Sequence, residues 1–393
     1  MRLGILTGGG DVPGLNVAIK SVYEAAKARG WTRADGSGDV TGILRGWKGT
    51  VQMGGARAGE ADPWLQPLDD RFVRTIDRTG GTVLWSSRTR PDRMKPNDLP
   101  ERLASRTLPA SPGRPDLVDA TEAVIENLRT AKLDCLVAIG GDDTLGYGHT
   151  LSARGFPVVG IPKTMDNDVR GTDYAIGFST CLDRAVDFIN RQRTHLGSHE
   201  MVGVFRIFGR NAGFTSLGAA YAISDVRCQI PEHPFDLEAL CRVVAGDYAR
   251  NPRRYALVLC SEGAVWTGGS IEEYGDADAF GHRKKVNVAE ALAAEITKRT
   301  GLPTRMQDIT YDLRSGDPGT WDRIVAANFG ALAVEMIAAG RADRMICIQN
   351  GVYGDAPLPD AALGARTVDV GLFYDPATFR PKRSTLAGKP VFF

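Results

Sequence analysis

Residues 134–144, Asp134-Cys135-Leu136-Val137-Ala138-Ile139-Gly140-Gly141-Asp142-Asp143-Thr144, decide the fold. The apolar run has the length of a strand and shows no polar alternation. A strand apolar at every position is shielded on both faces, which is the condition of a parallel sheet covered by helices. The run ends in two glycines and two acids. In parallel sheets the carboxyl ends of strands are where ligands bind. The next strand-like run, 156–161, ends in a comparable way at Pro162-Lys163-Thr164-Met165-Asp166-Asn167-Asp168. Together the two strand ends offer tight turns, carboxylates for a metal ion, a candidate base and a cation for phosphate. That is the equipment of phosphoryl transfer.

The same unit recurs outward from this stretch. Residues 2–7 read as a strand and Gly8-Gly9-Gly10-Asp11 as its turn. Leu15, Ala18, Ile19, Val22 and Ala26 then mark one helix face. A helix is expected over 118–131. Strands are expected at 202–208, 255–260 and 344–348, and Thr82-Val83-Leu84-Trp85 is strand-like. Strands alternating with helices indicate an α/β fold with mainly parallel sheets. A length of 393 residues exceeds one ordinary core, so two domains are expected. Three stretches read as surface loops or arms. They are 88–115, rich in Arg, Pro and Ser, then 265–285, which includes His282-Arg283-Lys284-Lys285, and the Pro- and Gly-rich tail 351–393.

Hydrophobic content of 43% and charged content of 24% are those of a soluble globular protein. A net charge of +1 gives no reason to expect nucleic acid or an acidic membrane surface as partner. No apolar run has the length of a membrane span. The N-terminus enters the glycine loop without the apolar region of a signal peptide. A cytoplasmic location is therefore expected. The cysteines at 135, 181, 228, 241, 260 and 347 contain no Cys-x-x-Cys pair, so buried free thiols in a reducing compartment are expected.

Each motif carries two readings. Gly8-Gly9-Gly10 lets backbone N–H groups approach an anion at a helix start. A tight strand-to-helix turn needs glycine anyway, with Asp11 and Asn16 then serving as helix-start residues. Asp142 or Asp143 either anchors Mg²⁺, which takes one or two carboxylates with phosphate oxygens and water, or caps the next helix. Asp166 and Asp168 alternate with Asn167, and an extended backbone would point both acids the same way; an Asp/Asn turn is the alternative. Ser86-Ser87-Arg88, Phe208-Gly209-Arg210, Pro231-Glu232, and Tyr311 with Arg314 stand at or near further strand ends. Arginines placed so suit phosphate, because the guanidinium fork matches phosphate oxygens.

Taken in order, these pieces resemble the phosphofructokinase family. They are LTGGGDVPGLNVAIK, GGTVLWSSR, AIGGDDTLG, PKTMDND, GFSTCLDRAVD, FGRNAG, the PE at 231–232 and YDLRSGDPGTWDR, running from Gly8 to about residue 340. The resemblance implies two Rossmann-like three-layer α/β/α domains with the active site in the cleft between them. Residues 1–177 with about 313–365 would form the donor domain, and 178–312 with the C-terminal tail the sugar-phosphate domain. It implies Asp166 as the base for the sugar 1-hydroxyl, with Thr164, Asp168 and Arg210 around it. Asp142 resembles the Mg²⁺ ligand. Gly9, Gly10, Arg88 and Gly141 match the donor side. Phe208, Gly209, Glu232, Arg305, Tyr311 and Arg314 match the sugar-phosphate side. A homodimer or homotetramer is implied.

The resemblance also bears on the donor. ATP-using members typically have glycine where Asp143 and Lys163 stand, and pyrophosphate-using members resemble this chain at both. Asp143 adds charge where a nucleotide α-phosphate would lie, and Lys163 supplies a cation for a compact donor. Pyrophosphate as donor, fructose 6-phosphate as acceptor and a reversible reaction are therefore expected. The nearest alternative is an ATP-dependent phosphofructokinase, and a lipid or NAD kinase is a more distant one. A silent subunit that binds sugar phosphate is the non-enzyme alternative. Two positions depart from the pattern. Met201 stands where arginine is common, and Arg206 stands where glutamate is common. Losing one charge-assisted phosphate bond costs about 1.5–3 kcal/mol. The acceptor, fructose 6-phosphate or sedoheptulose 7-phosphate, thus stays open.

Overall fold

Two sheets carry the chain. The computed structural model describes residues 1–32, 39–56, 60–268, 273–274, 284–285 and 288–383. The larger sheet has seven strands in the spatial order Val352–Pro357, Arg344–Gln349, Val158–Pro162, Cys135–Gly140, Leu3–Thr7, Val40–Ile43 and Leu65–Pro67. The run 134–139 becomes its central strand, Cys135–Gly140, buried throughout. That strand pairs in parallel with Leu3–Thr7 on one side and Val158–Pro162 on the other. Only the two edge strands run antiparallel to their neighbours. The smaller sheet has four strands, all parallel, in the order Thr304–Asp308, Val202–Ile207, Ala256–Ser261 and Val226–Gln229.

Helices cover both sheets. Leu15–Ala28 lies against Thr320–Ala338, and the two backbones approach closely at Gly330. A Cβ there would meet Ser21 Cβ at 2.6 Å. The long helix Phe178–Ser198 leads from the larger sheet to the smaller. One continuous apolar cluster joins the two, from Leu3, Ile5 and Val137 to Phe205, Ile207 and Leu259. Each such side chain, fully buried, contributes roughly 1.5–3 kcal/mol, so the cleft between the sheets has a rigid floor. All six cysteines are buried and free. No helix among the described residues is long and apolar enough to cross a membrane.

The apolar runs appear as strands close to their expected bounds, and the helix of 118–131 forms as Thr121–Thr130. Thr82-Val83-Leu84-Trp85 does not form a strand. Trp85 is left-handed at φ 55° and its N–H closes a turn on the Thr82 carbonyl at 3.2 Å. Buried Asn16, which caps no helix, pins this turn instead. Its Nδ2 donates to the carbonyls of Thr79 and Gly80, and its Oδ1 accepts from the Val83 N–H. The tail is not wholly loop, because Val352–Pro357 adds an edge strand. Edge strands such as Thr304–Asp308 escape sequence reading because one side meets water, so no apolar run marks them. The stretch 88–115 holds only short turns and part of a small hairpin. His282-Arg283 and the tail from 384 on lie outside the described residues.

Candidate active site

The carboxyl ends of both sheets open into one cleft of about 630 Å³. From the larger sheet come Gly9, Gly10, Arg88, Gly141, Asp142 and Asp143, then Lys163, Thr164, Asp166 and Asp168. Phe208 and Arg210 come from the smaller sheet, and Tyr311 and Arg314 from the helix Thr310–Arg314. Gly209, Glu232 and Arg305 do not line it. Gly209, at φ 127°, forms the turn behind Phe208, where a Cβ would meet the Ala212 carbonyl at 2.7 Å. Glu232 accepts from the N–H groups of Gly213 and Val368 at 2.9 and 2.8 Å. Arg305 is exposed on the edge strand Thr304–Asp308.

Glycines shape the side of the cleft expected to take the donor. A Cβ on Gly140 would meet Thr144 Cβ at 2.3 Å, so the Gly140–Gly141 turn packs directly on the next helix. That helix begins at Asp142 with no side-chain cap, which leaves Asp142 facing the cleft in the first turn. Arg90 holds Asp143 through Nη1 at 3.7 Å while gripping Asp92 at 2.9 and 2.8 Å. Buried Lys163 donates to the Gly10 carbonyl at 2.6 Å. Burial, and then Arg314, lower the Lys163 pKa to about 8. The triglycine is thus a mixed case. Gly8 and Gly9 spend their N–H groups on the carbonyls of Ile139 and Ser87, so the loop is first a strand connector.

Asp166 and Asp168 both face the cleft, but not by strand alternation. Asn167 between them is left-handed at φ 52°, so the segment is bent. Its amide holds that bend by donating to the Asp173 carbonyl and accepting from the Ala175 N–H, both at 2.9 Å. Thr164 Oγ1 accepts from the Asp166 N–H at 3.2 Å. Burial raises the Asp166 pKa to about 7, with Glu262 adding to the rise. Asp168 rises as well, through burial and then the neighbouring Asp166. One Asp166 oxygen, Oδ1, is sealed without a partner. A carboxylate with a raised pKa beside a second acid and several cations is equipped to take a proton from a hydroxyl.

Arg314 stands where the two sides meet. It lies over the Phe208 ring at 4.8 Å, faces Asp11 at 3.8 Å, and would be struck by a Cβ on Gly10 at 2.8 Å. The far side holds a charge cluster that sequence reading saw only in part. Arg206 Nη1 donates to Asp308 at 2.6 Å and Nη2 to Glu262 at 3.3 Å, while Arg210 faces Glu262 at 3.5 Å. Glu262 follows the buried strand Ala256–Ser261 and precedes Gly263. An acid at an apolar strand end was the available signal, the same one that marked Asp142.

The phosphofructokinase family model matches residues 2–337. The chain belongs to the phosphofructokinase family. It is 33% identical over 380 residues to an ATP-dependent 6-phosphofructokinase of Mycobacterium bovis, covering 96% of this chain and 99% of the relative. It is 35% identical over 371 residues to a pyrophosphate–fructose 6-phosphate 1-phosphotransferase of Amycolatopsis methanolica, covering 94% and 96%. A crystal structure of a pyrophosphate-dependent phosphofructokinase from Nitrosospira multiformis superposes with a TM-score of 0.75 at 19% identity, covering 97% of this chain and 89% of that one. At that identity the likeness speaks for the fold, two α/β domains with a cleft between them. The chain is a phosphofructokinase-type enzyme, and its relatives divide over the donor.

Proposed function

We propose that this phosphofructokinase moves a phosphoryl group from pyrophosphate to O1 of fructose 6-phosphate, giving fructose 1,6-bisphosphate and phosphate, reversibly. One observation supports the donor: Asp143 and Lys163 stand together on the donor side of the cleft, the acid steadied by Arg90 and the lysine by Gly10. A nucleotide must bring its α-phosphate past Asp143, where the carboxylate repels it. Pyrophosphate ends short of that point. Lys163 then meets the compact donor with a charge-assisted bond.

In this reading Asp166 takes the proton from O1 as that oxygen attacks phosphorus. The bond from phosphorus to the bridging oxygen breaks, and phosphate leaves. Thr164 fixes the Asp166 backbone. Burial and then Glu262 keep the Asp166 pKa high, and Asp166 in turn helps raise that of Asp168. Lys163 and Arg210 offset charge on the transferring group. Tyr311 and Arg314 meet the sugar phosphate.

The donor set fits Mg²⁺. Among the described residues no group of three or more His, Cys, Asp and Glu is placed to hold a metal. Mg²⁺ needs no such cage, because it keeps waters and shares phosphate oxygens. Asp142, uncapping and in the cleft, would hold it. When bound, the ion neutralises charge on the donor phosphates.

A coupled assay tests this, offering pyrophosphate and ATP separately to purified protein with fructose 6-phosphate. Turnover with ATP and none with pyrophosphate overturns the donor. Sedoheptulose 7-phosphate belongs in the same panel, because Arg206 lines the cleft where glutamate is common in the family, while Met201 packs against the apolar core. Sugar-phosphate binding without turnover on any donor would mark a silent regulatory subunit.

A further inference from the structure

The tail lies beyond the span of the family model, which ends at residue 337, yet it reaches back to the site. Gly364 accepts through its carbonyl from Arg170 Nε at 2.8 Å. The Arg366 N–H donates to the Asp168 carbonyl at 2.7 Å. The Arg366 guanidinium lies over the Phe214 ring at 4.6 Å. Its Nη1 donates to the carbonyl of Asn167 at 3.3 Å and reaches that of Asp173 at 3.5 Å. Val368 then donates to Glu232 Oε1 at 2.8 Å.

The loop 163–168 needs outside support. It holds a left-handed asparagine, a strained conformation that a non-glycine residue keeps only where its surroundings enforce it. The Asn167 amide ties the loop to residues 173–175, and Thr215 Oγ1 donates to the Met165 carbonyl at 3.0 Å. The Arg366 guanidinium takes the carbonyls of Asn167 and Asp173, the two ends that the Asn167 amide also joins, and its backbone N–H takes that of Asp168. A planar fork with fixed donors suits such a task, and its stack on buried Phe214 fixes the fork in turn.

We propose that Arg366 is a positioning residue for Asp166 and Asp168. The tail segment 364–368 is then a strap from the catalytic loop to Glu232. Because this rests on Asp166 as the base, the loop is read both with turnover and without it. Arg366→Met keeps much of the stem over Phe214 and removes the fork; Arg366→Lys keeps the charge. With the donor the native enzyme uses, Arg366→Met is expected to lower kcat by up to about 100-fold, since small misplacements at a reacting centre cost that much, while both KM values move far less. Arg366→Lys is expected to recover part of the loss. Amide exchange in 164–175 should quicken in Arg366→Met while the strand Cys135–Gly140 stays protected. Native kcat with native exchange in Arg366→Met overturns the proposal. So does faster exchange in loop and strand alike, which would mark general destabilisation. Should the native protein turn over no donor, the reading of the site fails, and the exchange comparison alone decides the strap.

Discussion

The two sides of the cleft, which we propose take the donor and the acceptor, are built differently. On the proposed donor side Lys163 bonds to backbone rather than to a carboxylate. Lys163 meets the Gly10 carbonyl and Asp143 meets Arg90. On the acceptor side Arg206 is divided between Asp308 and Glu262, and Glu262 is divided between Arg206 and Arg210. Arg206 Nε, moreover, is sealed without a partner. A lysine bonded to a neutral carbonyl need not leave a carboxylate to meet an arriving anion, although burial and Arg314 lower its pKa to about 8. An arginine already paired with carboxylates must exchange partners before it can hold a phosphate. The donor side is therefore preset, and the acceptor side is adaptable.

The largest effect should come at the centre the two sides share. Asp166→Asn is expected to lower kcat by about 10²–10⁴-fold, the usual range for removing a general base. Steady-state kinetics beside circular dichroism checks this, and near-native turnover would remove Asp166 from the role. The next effect should fall on the donor side alone. The double variant Asp143→Gly/Lys163→Gly is expected to lose about 10–100-fold in kcat/KM for pyrophosphate, from one lost charge-assisted bond of about 1.5–3 kcal/mol. ATP should improve at the same time. A fall for both donors together would break the contrast between the two sides.

The third prediction is a pH profile. Asp166 must be ionised to accept a proton, and its raised pKa puts loss of activity near pH 7 as pH falls. Lys163 must be charged to hold the donor, and its lowered pKa puts loss near pH 8 as pH rises. The kcat/KM profile for pyrophosphate should thus be a narrow bell, and Lys163→Met should remove its alkaline limb. Retention of that limb would assign it elsewhere. The smallest effect should follow Arg206→Gln. Its pairs face the cleft and are partly screened, so the sugar-phosphate KM should rise within about five-fold, while kcat and the donor KM hold. Initial rates across an acceptor panel would show it.

The donor side was largely legible because its residues follow one another at strand ends. Asp142, Asp143, Lys163 and Asp166 all lie just past two buried strands, where local pattern and ligand position coincide. The acceptor side was less legible. Glu262 follows one strand and Asp308 ends another, and they meet Arg206 only because those strands lie on either side of its own. The expected extended geometry of 166–168 was also mistaken in kind. Asn167 bends the loop, and the two acids converge for that reason.

The sequence by itself determined most of the central strands, the parallel sheets, the family and the chemical class. Those rest on local rules: apolar runs bury, glycine permits close turns, and acids at strand ends face a cleft. Only the tertiary structure decided that Glu232 and Arg305 stand outside the cleft, that Asp142 does not cap its helix, and that Arg366 reaches the loop of Asp168. Contacts between residues so distant in the chain leave no periodic trace. They exist only once the core has closed and each carbonyl must find its donor.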